Sequence, residues 1–298
     1  MTGQDQPSER PLWRRIADFP LVAMILAVAL FIAAFAASIA IGKYALPPSS
    51  TLGGLAANGA VGVILIVLVY KLAIVRLGER PRDDLPRHRA LRDLGAGLVA
   101  GFLLFCIVVG VAALLDVYNV VGSGGTTELL RLLIAATIVP AILEEIFFRG
   151  ILFRWIEDFG GSWAALIVTS AFFGLAHISN PNATWFSSFA IAMEAGLLLG
   201  GAYMLTRSLW LPIGLHAAWN FTQGFIFDVP VSGLDQQGLV EARLSGPELL
   251  SGGAFGLEAS LIAVIVASGA GLFLIYRAAR LGQVERPWWV RRRAQRQP

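Results

Sequence analysis

An apolar run from Thr137 to Gly150 contains three ionisable side chains, and chemistry is expected here first. Glu144 and Glu145 are adjacent, and Arg149 follows four residues after Glu145. If the run lies in a bilayer, each of these charges is costly unless it is paired, hydrated or neutralised. A buried carboxylate can also act as a general base that takes a proton from water. The run is therefore the candidate reactive segment.

Two further apolar segments contain polar residues at helical spacing. His177 follows Phe173 by four residues, and Asn220 follows His216 by four residues. Side chains four residues apart lie on one face of a helix. We therefore expect Phe173 to shield His177 from lipid, and we expect His216 and Asn220 to project together.

Helical geometry also separates the roles of the two glutamates. Glu145 and Arg149 are four residues apart and can form an ion pair. Glu144 is rotated by about 100° from Glu145, because an α-helix has about 3.6 residues per turn. We predict that Arg149 holds Glu145, and that Glu144 faces a polar cavity shared with the two histidines.

These residue types allow two hydrolytic mechanisms. In the first, Glu144 and His177 activate a water, while His216 and Asn220 donate hydrogen bonds to the oxygen that becomes negative. In the second, Glu144, His177 and His216 bind a divalent metal such as zinc, with a water in the open position. Both mechanisms suit hydrolysis of an amide or ester, and the spacing does not choose between them.

A purely structural explanation is that each polar side chain bonds to a neighbouring helix. It can account for one intramembrane histidine. It accounts poorly for two glutamates, an arginine, two histidines and an asparagine on three segments. Glu194 lies in a further apolar segment, and there we favour a structural bond to another helix over a place beside the site or a substrate contact.

The composition is that of a helical membrane protein. Of the 298 residues, 56% are hydrophobic and only 14% are charged, whereas soluble domains have about a quarter charged residues. The predicted fold class is therefore all-α, a polytopic membrane helix bundle. The single cysteine, Cys106, excludes an internal disulfide and a cysteine-based metal site. The net charge of +3 gives no reason to expect a nucleic-acid partner.

Eight membrane-spanning helices are predicted from apolar runs of about twenty residues. The predicted spans are Leu21–Ile41, Leu55–Val75, Leu94–Leu115, Leu133–Trp155, Trp163–Thr184, Trp185–Leu205, Leu209–Phe227 and Phe255–Ile275. The fifth and sixth are nearly contiguous, so Ser179-Asn-Pro-Asn182 is the predicted turn between them and one of the two is expected to be shorter or tilted. Arginine-rich segments fall on one side only if the number of spans is even, so both termini are predicted to be cytoplasmic. Pro140 and Pro212 lie in the fourth and seventh spans, where a proline can free the carbonyl four residues earlier.

The three polar segments together resemble the CAAX protease and bacteriocin-processing family, also called CPBP or Abi intramembrane proteases. The family signature is Glu-Glu-x-x-x-Arg, then Phe-x-x-x-His, then His-x-x-x-Asn, on successive membrane helices. It reads here Glu144-Glu145-Ile-Phe-Phe-Arg149, Phe173-Gly-Leu-Ala-His177 and His216-Ala-Ala-Trp-Asn220. The resemblance extends over about Leu129 to Phe227.

The resemblance implies an eight-helix bundle around a hydrophilic cavity that opens toward the cytoplasmic side. It implies that Glu144 and His177 correspond to the water-activating pair, and that His216 and Asn220 correspond to the oxyanion site. Members of the family have been interpreted both as metalloproteases and as metal-independent glutamate proteases. We favour the metal-independent mechanism, because Asn220 one turn from His216 suits an oxyanion pair.

The resemblance also divides the chain into five regions. These are a cytoplasmic segment at 1–20, N-terminal transmembrane helices at 21–127, a catalytic CPBP-like core at 128–227, a non-cytoplasmic loop at 228–254, and the last transmembrane helix with a basic cytoplasmic tail at 255–298. The tail combines tryptophans with arginines and is expected to anchor the topology.

We expect an intramembrane endopeptidase of the bacterial cytoplasmic membrane. Its partners would be membrane lipids and a peptide or protein substrate, lipidated substrates included. One alternative is a non-proteolytic scaffold or regulator on the same fold. Another is a proton-coupled carrier, but carriers usually contain paired halves with interrupted helices, and the sequence has no such pairing.

Overall fold

The computed structural model describes residues 11–294, and in this part the chain forms a bundle of α-helices. The expectations for residues 1–10 and 295–298 lie outside the described residues. The α-helices are α1 (Leu12–Ala17), α2 (Pro20–Ala45), α3 (Leu52–Leu72), α4 (Ala90–Leu114), α5 (Leu129–Leu132), α6 (Val139–Glu145), α7 (Arg154–Gly160), α8 (Ser162–Ala176), α9 (Trp185–Thr206), α10 (Trp210–Phe221), α11 (Glu248–Ser251), α12 (Leu261–Arg280) and α13 (Trp288–Ala294). π-helical segments are Leu133–Ile138, Ile146–Phe153 and Thr222–Ile226. The predicted all-α membrane fold is confirmed.

Six helices in the described range are long and apolar enough to cross a membrane. They are Pro20–Ala45, Leu52–Arg76, Arg87–Leu114, Ser162–Ser179, Trp185–Thr206 and Leu261–Arg280. Each matches one predicted span. The predicted fourth and seventh spans instead match the helical runs Leu129–Gly160 and Trp210–Ile226, which both contain π-helical turns. The total of eight spans, and the cytoplasmic location of the termini, stay predictions.

Two predicted boundaries were wrong. The fifth span was predicted to reach Thr184, but α8 ends at Ala176 and one 3-10 turn follows to Ser179. The chain cannot continue as a helix there, because Pro181 disfavours helical backbone at the residue before it. The eighth span was predicted from Phe255, but α12 begins after Ser260, whose hydroxyl accepts the amide N–H of Ala263 at 3.1 Å.

A two-stranded sheet, which the sequence did not predict, joins two loops at one end of the bundle. Strand β1 (Tyr118–Ser123) follows α4, and it pairs antiparallel with β2 (Val240–Leu244) in the loop after α10. The register matches Tyr118 with Leu244 and Ser123 with Val240. The predicted non-cytoplasmic loop is therefore ordered. Together with β1, residues 228–260 before α12 cover that end of the bundle, and we call this segment the cap.

The close crossing of α4 and α10 depends on glycine. A Cβ added at Gly97 would collide with the carbonyl oxygen of Leu211, and one added at Gly214 would collide with the carbonyl oxygen of Leu94. Small residues at such crossings allow two backbones to approach closely in a membrane. Since α10 contains His216 and Asn220, this contact fixes one wall of the candidate site.

We expect Gly97→Val to destabilise the protein by about 1–3 kcal/mol, as overpacking commonly does. Gly110→Val on the same helix is the matched control, because nothing lies within 4 Å of a Cβ at Gly110. Thermal denaturation in detergent measures both variants. Equal melting temperatures for the two variants would contradict the proposed role of this crossing.

The arginine-rich loop between α3 and α4 folds back onto the end of the bundle. Asp84 is only 1% exposed; its carboxylate accepts the hydroxyl of Tyr70 at 3.0 Å and pairs with Arg82 at 2.9 Å. The backbone carbonyl of Asp84 accepts the amide N–H of Leu209 at 2.7 Å. The guanidinium of buried Arg154 donates to the carbonyl of Arg82 at 3.0 Å. This loop therefore fixes the start of α10.

Helices α1 and α13 lie at this same end. The ring of Phe19, which follows α1, packs edge-on against Trp288 with centroids 5.7 Å apart. Arg292 of α13 pairs with Glu79 of the arginine-rich loop. The two ends of the described chain are thus neighbours.

Candidate active site

The run Leu129–Gly160 contains the candidate glutamates at its centre. Two π-helical segments flank the short α6, and such segments frequently occur at functional sites because they change the register of side chains. Glu144 and Glu145 are the last residues of α6, and Arg149 lies in the following π-helical segment. The glutamates therefore lie where the helix changes its winding.

Glu145 lies at the centre of a buried charge cluster. Its Oε1 accepts a hydrogen bond from Arg149 at 2.9 Å and lies 3.0 Å from Nδ1 of His216. Arg149 also donates to the carbonyl of Ala195 in α9 at 3.1 Å. Glu145 and Arg149 are 0% and 1% exposed. The ion pair expected from their spacing is present, and it links three helices.

His177 caps the C-terminal end of α8 and is half-buried. Its Nδ1 lies 2.7 Å from the carbonyl oxygen of Phe173. The Phe173 ring packs against His177 with centroids 4.8 Å apart, and the guanidinium carbon of Arg149 lies 4.7 Å from the centre of the same ring. Phe173 is 2% exposed, so it separates His177 from Arg149 inside the protein instead of shielding it from lipid.

Asn220 donates a hydrogen bond to a backbone carbonyl that a proline leaves without its helical donor. Pro140 has no N–H, so the carbonyl four residues earlier, that of Ala136, lacks its regular helical donor. The side-chain amide of Asn220 donates to this oxygen at 2.9 Å. Asn220 therefore ties α10 to the helix that contains the glutamates, one turn after His216.

Glu144 is half-buried and differs from Glu145 in its contacts. Its Oε2 is buried without a hydrogen-bond partner among the described residues. Glu144 still lies close enough to act electrostatically on both His216 and Arg149. Glu145 is thus paired with Arg149 and Glu144 is not, although Oε2 of Glu145 is likewise buried without a hydrogen-bond partner in this part of the chain.

A small polar cavity joins α8, α9, α10 and the cap. Its volume is about 40 Å³, enough for one to a few waters. The polar side chains that line it are His177, Glu194, His216, Asn220, Ser232 and Glu258. The structure therefore brings both histidines and the asparagine together as predicted, but Glu144 is not among the lining residues.

The cap contributes one end of the cavity. The family resemblance implied an opening toward the cytoplasmic side, where the termini are predicted to lie, and that direction stays a prediction. Ser232 and Glu258 belong to the cap at the opposite end of α10, and Asn180 beyond His177 donates to the carbonyl of Ser232 at 3.2 Å. The cap thus closes the cavity from that end.

The donors proposed for a metal do not fit one in this arrangement. Within residues 11–294, no three His, Cys, Asp or Glu side chains are grouped so that they could hold a metal ion. The Nδ1 atoms of His177 and His216 face the Phe173 carbonyl and Glu145 respectively.

Sequence reasoning missed the role of the cap. Glu258 was included in the predicted eighth span without comment, although a glutamate in an apolar run is itself a signal. The structural bond favoured for Glu194 is absent: Oε2 of this 2%-exposed residue has no hydrogen-bond partner in the described part of the chain. Both carboxyls instead line the cavity.

We expect Asn220→Ala to destabilise the protein by about 1–3 kcal/mol, because the Ala136 carbonyl is left without a donor. Adding Pro140→Ala should restore part of this loss, since an alanine at that position would supply the missing N–H to the carbonyl four residues earlier. Unfolding in detergent, followed by circular dichroism, measures the single and double variants. A double variant no more stable than Asn220→Ala would refute this account of the proline.

Comparison with known proteins finds one family model and one curated relative. The sequence model of the family described as "Type II CAAX prenyl endopeptidase Rce1-like" matches residues 126–222. A curated relative, "Putative membrane peptidase YdiL" of Bacillus subtilis (strain 168), is 25% identical over 178 residues, which cover 55% of this chain and 70% of YdiL. No solved structure gives a significant match.

The resemblance predicted from the three motifs is thereby confirmed: over residues 126–222 the chain resembles the type II CAAX prenyl endopeptidases of the CAAX protease and bacteriocin-processing family. The chain is an integral membrane protein, and a bacterial cytoplasmic membrane fits the Bacillus relative. At this level the comparisons support a CAAX-protease-like intramembrane peptidase that acts on a peptide or protein in a membrane.

Proposed function

We propose that this protein is an endopeptidase that hydrolyses a peptide bond within or beside the membrane by direct activation of water. The observation that carries the proposal is the unpartnered buried oxygen of Glu144 beside the Glu145–His216 pair. A carboxylate oxygen without a hydrogen-bond donor is available to accept a proton from water. In this mechanism the water oxygen bonds to the substrate carbonyl carbon, and Glu144 receives the proton that the water loses.

His177 has the tautomer that such a reaction needs. Because the Phe173 carbonyl can only accept a hydrogen bond, Nδ1 of His177 must carry a proton. Nε2 of the neutral ring is then an acceptor that can orient the attacking water. His177 lines the cavity, which supports the proposal that it acts with Glu144.

His216 can serve the oxyanion only in its charged form. Oε1 of Glu145 accepts from Arg149, so Glu145 is an ionised acceptor and Nδ1 of His216 is the donor toward it. Nε2 can then donate a hydrogen bond only when the ring is doubly protonated. The Glu145 carboxylate favours that charged ring, as carboxylates do for neighbouring imidazoles.

Asn220 completes the proposed oxyanion site. One hydrogen of its side-chain amide is used by the Ala136 carbonyl, and the second remains for the substrate oxygen, since an amide nitrogen has two. The pairing of Asn220→Ala with Pro140→Ala separates the two roles. If Asn220 is an oxyanion donor, the double variant regains stability but not catalytic activity.

An apolar groove beside the site favours a hydrophobic or lipidated substrate segment. It has a volume of about 530 Å³ and lies between α4, α6 and α10. Ala217 and Phe221, the neighbours of the site residues on α10, line it together with Thr137. A lipid chain or an apolar peptide segment suits such a groove, because burying apolar surface against its apolar lining is favourable.

The proposal is tested by comparing membrane peptides from cells that produce the wild-type protein or Glu144→Ala. We expect one or more membrane proteins to accumulate uncut with Glu144→Ala, and the cut ends to appear only with the wild type. Identical peptide sets would contradict the proposal and favour a scaffold. Metal analysis of the active purified protein tests the mechanism, because stoichiometric zinc would contradict direct water activation.

A further inference from the structure

Glu194 is a buried carboxyl in an apolar helix, and no neighbouring helix pairs with it among the described residues. It lies in the middle of α9, is 2% exposed, and its Oε2 has no hydrogen-bond partner among the described residues. Burying an ionised carboxylate without a partner is very costly, whereas the neutral acid costs much less. Glu194 therefore holds its proton, and it presents that proton to the cavity that it lines.

Glu258 provides a second carboxyl at the same cavity, but its surroundings differ. The backbone N–H of Ser232 donates to its Oε1, and this hydrogen bond favours the ionised form. Burial acts in the opposite direction and raises the pKa of Glu258 to about 7. Two carboxyls so close repel when both are ionised, so the pair retains a proton, and Glu194 is the member without a donor.

The other titratable groups that line the cavity are two histidines. His177, which follows α8, and His216 on α10 line it, and the Glu145–Arg149 pair next to His216 is closed by its own hydrogen bond. The cavity thus contains two imidazoles and the Asn220 amide together with the two carboxyls. Hydrolysis of an amide requires both a proton acceptor and a proton donor.

We infer that Glu194 is the catalytic acid of this site, which protonates the nitrogen that leaves when the peptide bond breaks. The inference rests on the proposed function and names a residue outside the three sequence motifs. Glu258 is a positioning residue, because it is held by the cap and keeps Glu194 neutral through repulsion between the carboxyls.

Hydrolysis of the peptide bond in this way needs no reactant other than water. Water adds to the carbonyl carbon, and its proton passes to Glu144. The carbon–nitrogen bond then breaks, and the electron pair on nitrogen takes the proton of Glu194, so the amine leaves neutral. The proton held by Glu144 returns to Glu194 through water and restores both groups.

The experiment compares Glu194→Gln with the wild type on two matched substrates in vesicles of phosphatidylethanolamine and phosphatidylglycerol. One is an internally quenched peptide that contains the cleavage site found by the peptide comparison. The other joins the same acyl segment to a phenol through an ester. A phenolate leaves without being protonated, so it does not need the acid.

We expect Glu194→Gln to lower the peptide rate by about 10²-fold, the usual contribution of a general acid, and to change the ester rate by less than about 3-fold. An equal loss on both substrates, or no loss on the peptide, would overturn the inference. If the wild type cleaves neither substrate, the proposed function fails and the acid role fails with it. The wild-type rate therefore distinguishes the two failures.

Two further measurements distinguish a catalytic role of Glu194 from a structural effect of its substitution. Ser268→Ala removes a hydrogen bond to the carbonyl of Met193, the residue before Glu194, at 3.1 Å; it disturbs the same contact between α9 and α12 and should retain both rates. Infrared difference spectra should contain a protonated carboxyl band at neutral pH that Glu194→Gln removes. A band unchanged by Glu194→Gln would overturn the inference without any substrate.

Discussion

Glu144→Gln is expected to lower the rate of peptide cleavage by about 10²–10⁴-fold, with little change in substrate binding. The substitution keeps the size of the side chain and removes its ability to accept a proton. The buried Oε2 of Glu144 makes no hydrogen bond in the described part of the chain, so no structural contact is lost with it. Turnover and KM measured on the purified protein in vesicles separate catalysis from binding.

Glu128→Gln is the matched control for this experiment. Glu128 precedes the same helical run and pairs with Arg131 at 3.2 Å at the surface. It should retain the wild-type rate. If Glu144→Gln also retains that rate, Glu144 is not the base, and the carboxylate of Glu145 with its partner His216 becomes the candidate.

The adjacent glutamates illustrate how far the sequence could be interpreted. Spacing alone predicted that Glu145 would pair with Arg149, because residues four apart on a helix face each other. Spacing could not predict that Glu145 Oε1 also contacts His216 at 3.0 Å, since the angle between two helices is not encoded in either one. That contact decides which ring nitrogen of His216 remains for the substrate.

The apolar runs predicted the fold class and most helices, but not the helix end that positions His177. His177 was expected inside a continuous helix, whereas it lies at the C-terminal end of α8. The turn that follows is fixed by Pro181 and by the reciprocal hydrogen bonds of Thr184 and Ser187 that begin α9. The turn itself was predicted at Ser179-Asn-Pro-Asn182 and is confirmed, but the apolar residues before it gave no signal that α8 would end at Ala176.

The cap could not be predicted from the sequence for a different reason. Strands β1 and β2 are separated by more than a hundred residues, and short strands without clear alternation are not predictable from pattern alone. Glu258 reaches the cavity only because this cap is ordered. The carboxyl that the cap contributes to the cavity therefore depends on tertiary contacts that no single motif records.

Arg149→Met is expected to destabilise the folded protein by about 3–5 kcal/mol, because it leaves the Glu145 carboxylate buried beside one remaining partner. Arg149 is 1% exposed, so no water can replace it. The guanidinium also donates to the Ala195 carbonyl at 3.1 Å, and that contact between the Glu145 helix and α9 is lost as well. Denaturation in detergent measures the change.

A second substitution distinguishes lost charge balance from lost packing. In Glu145→Gln/Arg149→Met the uncompensated charge is gone, so the double variant should be more stable than Arg149→Met by at least about 1 kcal/mol. Arg131→Met, which breaks an exposed pair on the same helical run, should change stability by less than about 0.5 kcal/mol. If the double variant is no more stable than Arg149→Met, then packing against Phe173 and Ala195 dominates and the ion pair is not what holds this helix. Because His216 loses its carboxylate partner, the double variant should remain inactive even where its stability recovers, and this separates the structural role of Arg149 from the proposed role of Glu145 in positioning His216.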